Sequence, residues 1–480
     1  MKERKKTGLA VKNSTKKNLK NSQLSDRLIS KPKSAWLQSN EIEKKEIFSF
    51  CEDYKLFLNK VKTERLAVKE IISTLKKEKF VDIATKKIIK KGDKIYLNWK
   101  EKVVLACVVG EDSSILRIIG SHVDSPRLDL KPKPFIEDSE LTLLKTHYYG
   151  GIKKYHWVNQ PLSLYGVIFT KEGKKIELEI GNSKDDGVFV IPDLLPHLSK
   201  NQYEKTPAKI IEGEQLSILF GGMPVDDKDL SNGLKLAVLE ILNKKYGLIE
   251  EDFFTAEISL VPAQEARDVG LDKSMIGAYG QDDKVCVYTS LCAITKTQKP
   301  KHTAITFFVD KEETGSDGDT GAQSYILRYF MNEYIQKCSL NISVDTILAH
   351  AKAISADVTS ALDPNHKDVY DITNSSLLGR GISIEKYGGG GGKYSTNDAS
   401  AEFLNEIRQL VIKNNIAWQT GELGKIDIGG GGTIAKYLSR YGMSCIDAGP
   451  ALLGIHSPFE ISSKIDVYNA YKFYKAFFNS

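Results

Sequence analysis

Three short apolar segments, each ending directly at a histidine, aspartate or glutamate, place the strongest constraint on the fold of this chain. Residues 115–120 run into His122, residues 304–309 run into Glu312 and Glu313, and residues 353–356 run into Asp357. Short apolar runs of this length predict buried strands. Open α/β sheets place their active sites beyond the carboxyl ends of such strands. The pattern therefore predicts an α/β protein whose site lies where these strand ends meet.

Residues 135–260 have a different pattern of apolar residues from the segments on either side of them. Apolar residues at helical spacing predict two helices over residues 42–79. Residues 135–260 instead alternate apolar and polar residues between turn residues, which predicts an inserted β-rich domain. A chain of 480 residues is long enough for two domains. We therefore predict a mixed-sheet α/β/α domain formed by residues 41–134 and 261–480, with a β-rich insertion between them.

The positive net charge of the chain is concentrated in its first 40 residues. Residues 1–40 contain eleven Lys or Arg and two acidic residues, whereas the whole chain has a net charge of +6. The remainder is therefore slightly acidic, and residues 1–40 are predicted to be a flexible, solvated extension and not a nucleic-acid-binding arm. The chain has no apolar run long enough to span a bilayer and no secretory leader pattern, and its six cysteines are irregularly spaced. These features predict a cytoplasmic protein without disulfides and without membrane contact.

Five residues at or near predicted strand ends have side chains suited to metal binding. They are His122, Asp282, Glu313, Asp357 and His456. Five ligands are too many for one tetrahedral zinc ion, but they suit two divalent ions if one carboxylate bridges them. Glu312, next to a ligand, can then accept a proton from a water between the metals and return it to a leaving amine. The pattern predicts a metal-dependent hydrolase.

Six motifs, in this order along the chain, resemble the motif series of the M18 aminopeptidases, the aspartyl aminopeptidase family. They are Ser121-His-Val-Asp-Ser-Pro126, Tyr279-Gly-Gln-Asp-Asp283, Asp310-Lys-Glu-Glu-Thr-Gly-Ser316, Ile354-Ser-Ala-Asp357, Tyr394-Ser-Thr-Asn397 and Gly454-Ile-His-Ser-Pro458. The resemblance covers about residues 45–480, and the spelling around Asp282 and Glu312 is closer to that of bacterial members. It implies a metallo-exopeptidase that removes one N-terminal residue, Asp or Glu, from peptides. It also implies two divalent ions per subunit, with zinc expected and cobalt or manganese as alternatives.

The resemblance further implies a role for each of the candidate site residues. His122 and Asp357 would bind one ion, Glu313 and His456 would bind the other, and Asp282 would bridge them. Glu312 would be the general base that acts on the metal-bridging water. Asp124 would hold the His122 imidazole in its metal-binding tautomer, as carboxylates beside metal-bound histidines commonly do.

The resemblance also implies an oligomer. The inserted domain, residues 135–260, would mediate dimerisation, and the dimers would assemble into a tetrahedral dodecamer. His197 would reach the site of a neighbouring subunit. The glycine run before Tyr394 departs from the polar or basic residues of eukaryotic members, and Lys393 remains there as the candidate cation for an acidic substrate side chain. An ordinary surface residue is the alternative for each of these two.

Two other functions remain open at this point. One is another metal-dependent amidohydrolase, a deacylase or a carboxypeptidase, and the other is an inactive scaffold that has kept the peptidase fold. An aminopeptidase must also recognise a free α-amine. Glu312 and Asp283 are both candidates for that contact, and the sequence does not choose between them.

Overall fold

A nine-stranded mixed sheet forms the centre of the molecule. The structure is a computed structural model that describes residues 21, 23–30, 33–227 and 230–480. The order across this central sheet is β1-β2-β3-β13-β4-β14-β18-β16-β17. Its strands are Val81–Asp82 (β1), Lys94–Trp99 (β2), Val103–Val108 (β3), Asp112–His122 (β4), His302–Val309 (β13), Lys352–Ser355 (β14), Ile382–Glu385 (β16), Trp418–Thr420 (β17) and Ser444–Gly449 (β18).

Helices cover both faces of the central sheet. Within residues 33–227 and 230–480, the α-helices are Glu41–Lys60 (α1), Glu64–Lys77 (α2), Lys200–Tyr203 (α3), Pro207–Ile210 (α4), Gly233–Tyr246 (α5), Gln281–Thr295 (α6), Ile326–Lys337 (α7), Val344–Ala349 (α8), Ala401–Lys413 (α9), Ala435–Ser439 (α10) and Lys464–Phe478 (α11). Helices α1, α2, α6, α9 and α11 share one hydrophobic core with the sheet, and α7, α8 and α10 share the other.

Strand β3 shows why the sheet is covered on both faces. All six of its residues are buried, and their side chains alternate between the two faces, as a strand requires. Val104 and Ala106 belong to the first core, whereas Leu105 and Cys107 belong to the second. A strand that is apolar on both faces needs a layer of helices on each side. The predicted mixed-sheet α/β/α architecture is confirmed.

The two helices predicted over residues 42–79 are α1 and α2. The Asn40 side chain caps α1 by accepting the N–H groups of Ile42 and Glu43, and the Thr63 hydroxyl caps α2 by accepting the N–H of Leu66. Such caps satisfy amide donors that have no partner within the helix.

Two further sheets flank the centre. A six-stranded antiparallel sheet, in the order β8-β7-β10-β5-β6-β9, is called the second sheet here. Its strands are Arg127–Asp138 (β5), Leu141–Tyr149 (β6), Leu162–Phe169 (β7), Lys175–Ile180 (β8), Ile218–Gly221 (β9) and Glu257–Pro262 (β10). A small five-stranded sheet, in the order β11-β12-β20-β19-β15, consists of Arg267–Val269 (β11), Met275–Ala278 (β12), Thr359–Ser360 (β15), Ala451–Leu453 (β19) and Glu460–Ser463 (β20).

The predicted flexible extension, residues 1–40, lies largely outside the described residues. Within them, Ala35–Leu37 forms a 3-10 turn. Ala35 is buried, and its N–H donates to the carbonyl of Gly379 at 2.8 Å. In the part of the chain that the structure describes, no helix has both the length and the apolar content needed to cross a bilayer.

Candidate metal centre

Three neighbouring strands of the central sheet bring the first four site residues to one edge. Strand β4 pairs in parallel with β13 on one side and with β14 on the other, so that their carboxyl ends lie side by side. His122 is the last residue of β4, and Asp357 lies two residues beyond β14. Glu312 and Glu313 open the 3-10 turn that follows β13. Parallel register therefore produces the convergence that the sequence predicted.

The other two candidate ligands come from the small sheet. Asp282 follows β12 at the start of α6, where its backbone is not yet helical. His456 lies in the loop that joins β19 to β20, with φ at +65°. Strands β12 and β20 pair antiparallel. This pairing brings the two residues together although they are distant in the chain.

Asp282 lies between the two histidines and directs one oxygen at each. Its Oδ1 is 3.2 Å from Nε2 of His122, and its Oδ2 is 3.2 Å from Nε2 of His456. On the outer sides, Asp357 Oδ1 is 3.7 Å from His122 Nε2, and Glu313 Oε2 is 3.3 Å from His456 Nε2. Potential ligand atoms lie within 4.8 Å of one another in two sets, which are His122 with Glu312 and Asp357, and His122 with Asp282 and Glu313.

Both imidazoles are held by Nδ1 and present Nε2 to the cluster. His122 Nδ1 is 3.1 Å from the carbonyl oxygen of Asp124 and 3.3 Å from its carboxylate. His456 Nδ1 is 2.8 Å from the carbonyl oxygen of Gly151. When Nδ1 carries the proton and donates it to an oxygen, the lone pair of Nε2 faces the shared carboxylates. This is the arrangement that metal-binding histidines adopt.

Asp124 accepts hydrogen bonds from several groups that support the site. It is fully buried. Its Oδ2 accepts the hydroxyl of Tyr149 at 2.7 Å and the N–H of Glu313 at 3.2 Å, while its Oδ1 accepts the N–H of Glu312 at 3.2 Å. One carboxylate thus fixes the ring of His122 and the backbone of both glutamates.

Crowded carboxylates make this pocket attract positive charge. Burial opposes protonation of His122, but Asp124, Asp282 and Asp357 raise its pKa well above the ordinary value. Burial likewise opposes protonation of His456, but Asp282 and Glu313 raise its pKa to about 10. Burial raises the pKa of Glu312 to about 8, with His122 opposing. The metal-free cluster therefore retains protons that a divalent cation would displace.

Two buried oxygens in the cluster make no hydrogen bond, which is the observation that tests whether a metal fits. They are Oδ1 of Asp282 and Oε1 of Glu313. Buried carboxylate oxygens normally have a partner, and two orphans next to two oriented imidazoles match the donor set of zinc. The residues present fit divalent metal ions.

The remaining sequence candidates lie outside this cluster or beneath it. His197 is exposed in the 3-10 turn Pro196–Leu198, and none of its contacts among the described residues joins it to the five candidate ligands. Lys393 is exposed, with Nζ 3.1 Å from Asp398 and 3.6 Å from the centre of the Tyr387 ring. Asp283 is fully buried, and its Oδ2 accepts the N–H of His122 at 3.2 Å. Of the two α-amine candidates, Glu312 is partly exposed and Asp283 is not.

Sequence reasoning missed residues that complete the site from the second sheet and from β20. Tyr149 was not identified, nor were Gly150 and Gly151, although a Cβ added at either glycine would lie 3.3 to 3.5 Å from Glu313 or His456. The segment Tyr148-Tyr-Gly-Gly151 could have indicated these residues, because paired glycines allow other side chains to approach the backbone closely. Glu460, which accepts two backbone N–H groups of the site, was also missed, because it reads as an ordinary strand residue.

The chain is similar to known proteins in both sequence and structure. The family model described as "Aminopeptidase I zinc metalloprotease (M18)" matches residues 57–478. A "Probable M18 family aminopeptidase 1" of Borreliella afzelii is 50% identical over 456 residues, which cover 93% of this chain and 99% of the relative. The crystal structure of an M18 family aminopeptidase from Thermotoga maritima is 43% identical, with a TM-score of 0.91 over 94% of this chain and 99% of that one. The mApe1 dodecamer of S. cerevesiae is 21% identical, with a TM-score of 0.72 over 89% and 95% of the two chains.

Proposed function

The chain belongs to the M18 family of zinc metallo-aminopeptidases, and on that premise we propose that it uses two divalent ions to remove a single N-terminal Asp or Glu from peptides. The observation that carries the dinuclear part of this proposal is the position of Asp282. One oxygen of this carboxylate faces each of two imidazoles, at 3.2 Å in both cases. A carboxylate shared in this way is suited to bridging two ions.

The donor set divides into two halves around Asp282. In our proposal His122 and Asp357 hold one ion, Glu313 and His456 hold the other, and Asp282 is common to both. Zinc is the expected ion, and cobalt or manganese would fit the same mixture of imidazole and carboxylate. When bound, such ions polarise the scissile carbonyl and make water more acidic.

Glu312 is the proposed general base. It accepts a proton from the attacking water and delivers it to the leaving amine. In the metal-free cluster, burial raises the pKa of Glu312 to about 8. Bound divalent ions beside it would lower that pKa and favour the carboxylate form, which accepts the proton. The hydrogen bond from its N–H to Asp124 fixes the turn that carries it. Glu312 is also the proposed contact for the α-amine, since Asp283 is buried.

Substrate selection and assembly are proposals that rest on exposed residues. Lys393 is the candidate cation for an acidic side chain, and it would exchange Asp398 for the substrate. Residues 135–260 form the proposed dimerisation domain, and His197 would enter the site of a neighbouring subunit. Exposed apolar side chains near His197, namely Leu194, Leu195, Leu198 and Tyr203, support this surface. The similar mApe1 chain forms a dodecamer, which supports a tetrahedral dodecamer here. We also propose that the protein is cytoplasmic.

A substrate panel tests this function. Aminoacyl anilides with each N-terminal side chain are compared with N-acyl amino acids, with and without a chelator, and zinc, cobalt and manganese are then restored separately. We expect hydrolysis of free-amine substrates, fastest for Asp and Glu, lost with the chelator and recovered with metal. Hydrolysis of only the blocked substrates would favour a deacylase, and no turnover under any condition would favour an inactive scaffold.

A further inference from the structure

A single buried carboxylate joins the backbones of two candidate metal ligands. Glu460 is 1% exposed and is the first residue of β20. Its Oε1 accepts the N–H of His456 at 2.8 Å, and its Oε2 accepts the N–H of Asp282 at 3.0 Å. Its two oxygens therefore connect two chain segments that meet only in the folded protein.

The contact with His456 stabilises an unfavourable backbone. With φ at +65°, His456 is in the left-handed region, which is unfavourable for a residue other than glycine. From this conformation its ring reaches both the carbonyl of Gly151 and the carboxylate of Asp282. An acceptor for its N–H helps to keep the ring in that orientation.

The contact with Asp282 fixes the shared ligand. The carbonyl of Asp282 accepts the hydroxyl of Ser125 at 2.6 Å, while its N–H is taken by Glu460. With both backbone groups held, the carboxylate of Asp282 is anchored, and its buried Oδ1 is left without a hydrogen bond.

Glu460 is itself rigidly placed. Its backbone pairs with Ala278 between β20 and β12, and its carbonyl accepts the side-chain amide of Gln281 at 2.6 Å. A carboxylate anchored in this way can hold the backbones of Asp282 and His456 at a fixed distance from each other.

We propose that Glu460 is a positioning residue of the metal centre, which sets the distance between the Asp282 carboxylate and the His456 imidazole by holding both backbones. The inference rests on the proposed function, because it takes this cluster to bind metal. Its consequence is specific. Without Glu460, the ion held by His456 and Glu313 binds more weakly, while the fold persists.

Asp466 provides a matched control. It is also a fully buried carboxylate that accepts two backbone N–H groups, those of Gly379 and Gly381, each at 2.7 Å. None of its hydrogen bonds goes to a candidate metal ligand. Glu460→Gln and Asp466→Asn therefore remove the same kind of interaction, one at the site and one away from it.

The experiment measures zinc affinity on the full-length chain. Protein stripped with a chelator is titrated with zinc against a chromophoric competitor, and the visible spectrum of the cobalt form is recorded. We expect Glu460→Gln to weaken one of the two zinc sites by about 10- to 100-fold, the range found for groups that orient metal ligands, and to change the cobalt spectrum. Asp466→Asn should keep both affinities and the spectrum, and should lower only the melting temperature.

A second variant covers the case in which Glu460→Gln does not fold. Glu460→Asp keeps the charge but is one methylene shorter, so it cannot reach both N–H groups, and the same affinity should fall. Wild-type affinity and spectrum in a folded Glu460 variant overturn the inference, as does an equal loss of zinc affinity in Asp466→Asn. If the unaltered protein binds no zinc, the proposed function fails, and the inference fails with it.

Discussion

Zinc binding near pH 7 should release at least two protons from this protein. Neighbouring carboxylates raise the pKa values of His122 and His456, so both imidazoles are protonated in the metal-free cluster. A metal-bound imidazole must lose the proton on its coordinating nitrogen. With a pKa of about 10, deprotonating His456 near pH 7 costs about 4 kcal/mol, at 1.36 kcal/mol for each pH unit. Both histidines have raised pKa values, so zinc affinity is weakest in acid and rises with pH until His456 loses its proton unaided, near pH 10. Each ion displaces the proton of one histidine, so the affinity for each ion rises about 10-fold for each pH unit over which its histidine is protonated. The product of the two affinities rises about 100-fold for each pH unit where both histidines are protonated.

Isothermal titration calorimetry measures this release directly. The stripped chain is titrated with zinc at one pH in three buffers of different ionisation enthalpy, and the slope of the observed enthalpy against the buffer enthalpy gives the number of protons. His350→Gln is a suitable control, because His350 is exposed at the end of α8 and should leave the release unchanged. A slope near zero, or an affinity that does not change with pH, would refute the electrostatic account of the site.

Three further outcomes follow from contacts around the cluster. Glu312→Gln should retain zinc but lower turnover by roughly 100-fold or more, because the amide cannot accept the proton; turnover equal to that of the unaltered enzyme would remove Glu312 from its role. Tyr149→Phe deletes a hydrogen bond to a charged group, worth about 1.5–3 kcal/mol, so zinc affinity or turnover should fall roughly 10- to 150-fold. Zinc affinity and kinetics equal to wild type would show that Asp124 does not depend on Tyr149. Deleting residues 1–20 should leave peptide hydrolysis unchanged, whereas deletion through residue 40 removes the Asn40 cap and should cost about 1 kcal/mol or more in unfolding free energy. Urea unfolding of both truncations checks that difference, and equal stabilities would contradict it.

The part of the site that lies on parallel strands was predictable from local pattern. Apolar runs that end at His122, Glu313 and Asp357 are visible in the sequence, and the carboxyl ends of neighbouring parallel strands must meet at one edge. The observed pairing of β4 with β13 and β14 is that geometry. Local composition was sufficient because each of these residues lies at the end of its own strand or within four residues of it.

The small sheet was beyond the reach of local pattern. Asp282 and His456 meet because β12 pairs with β20, a long-range antiparallel contact between two strands of four residues each. Strands this short have no distinctive period. The local pattern therefore identified Asp282 and His456 as candidate ligands near predicted strand ends, but it did not predict the pairing of β12 with β20 that brings them together. Neither a strand-end pattern nor a family motif indicated Glu460. Its two side-chain oxygens accept backbone N–H groups of Asp282 and His456, and such contacts leave no pattern in the sequence.

The second sheet contacts the candidate metal centre. Its first strand, β5, begins at Arg127, just after Asp124, and β6 returns to pair Tyr149 with Arg127. From there Tyr149 donates to Asp124, and the carbonyl of Gly151 accepts from His456. The Arg127 guanidinium stacks 3.9 Å from the centre of the Tyr149 ring and pairs at 3.2 Å with Glu64 in α2. This hairpin, which is anchored to α2 by Arg127, connects the second sheet to the orientation of both histidines. A movement of the sheet would therefore reach the candidate metal ligands through at most two hydrogen bonds.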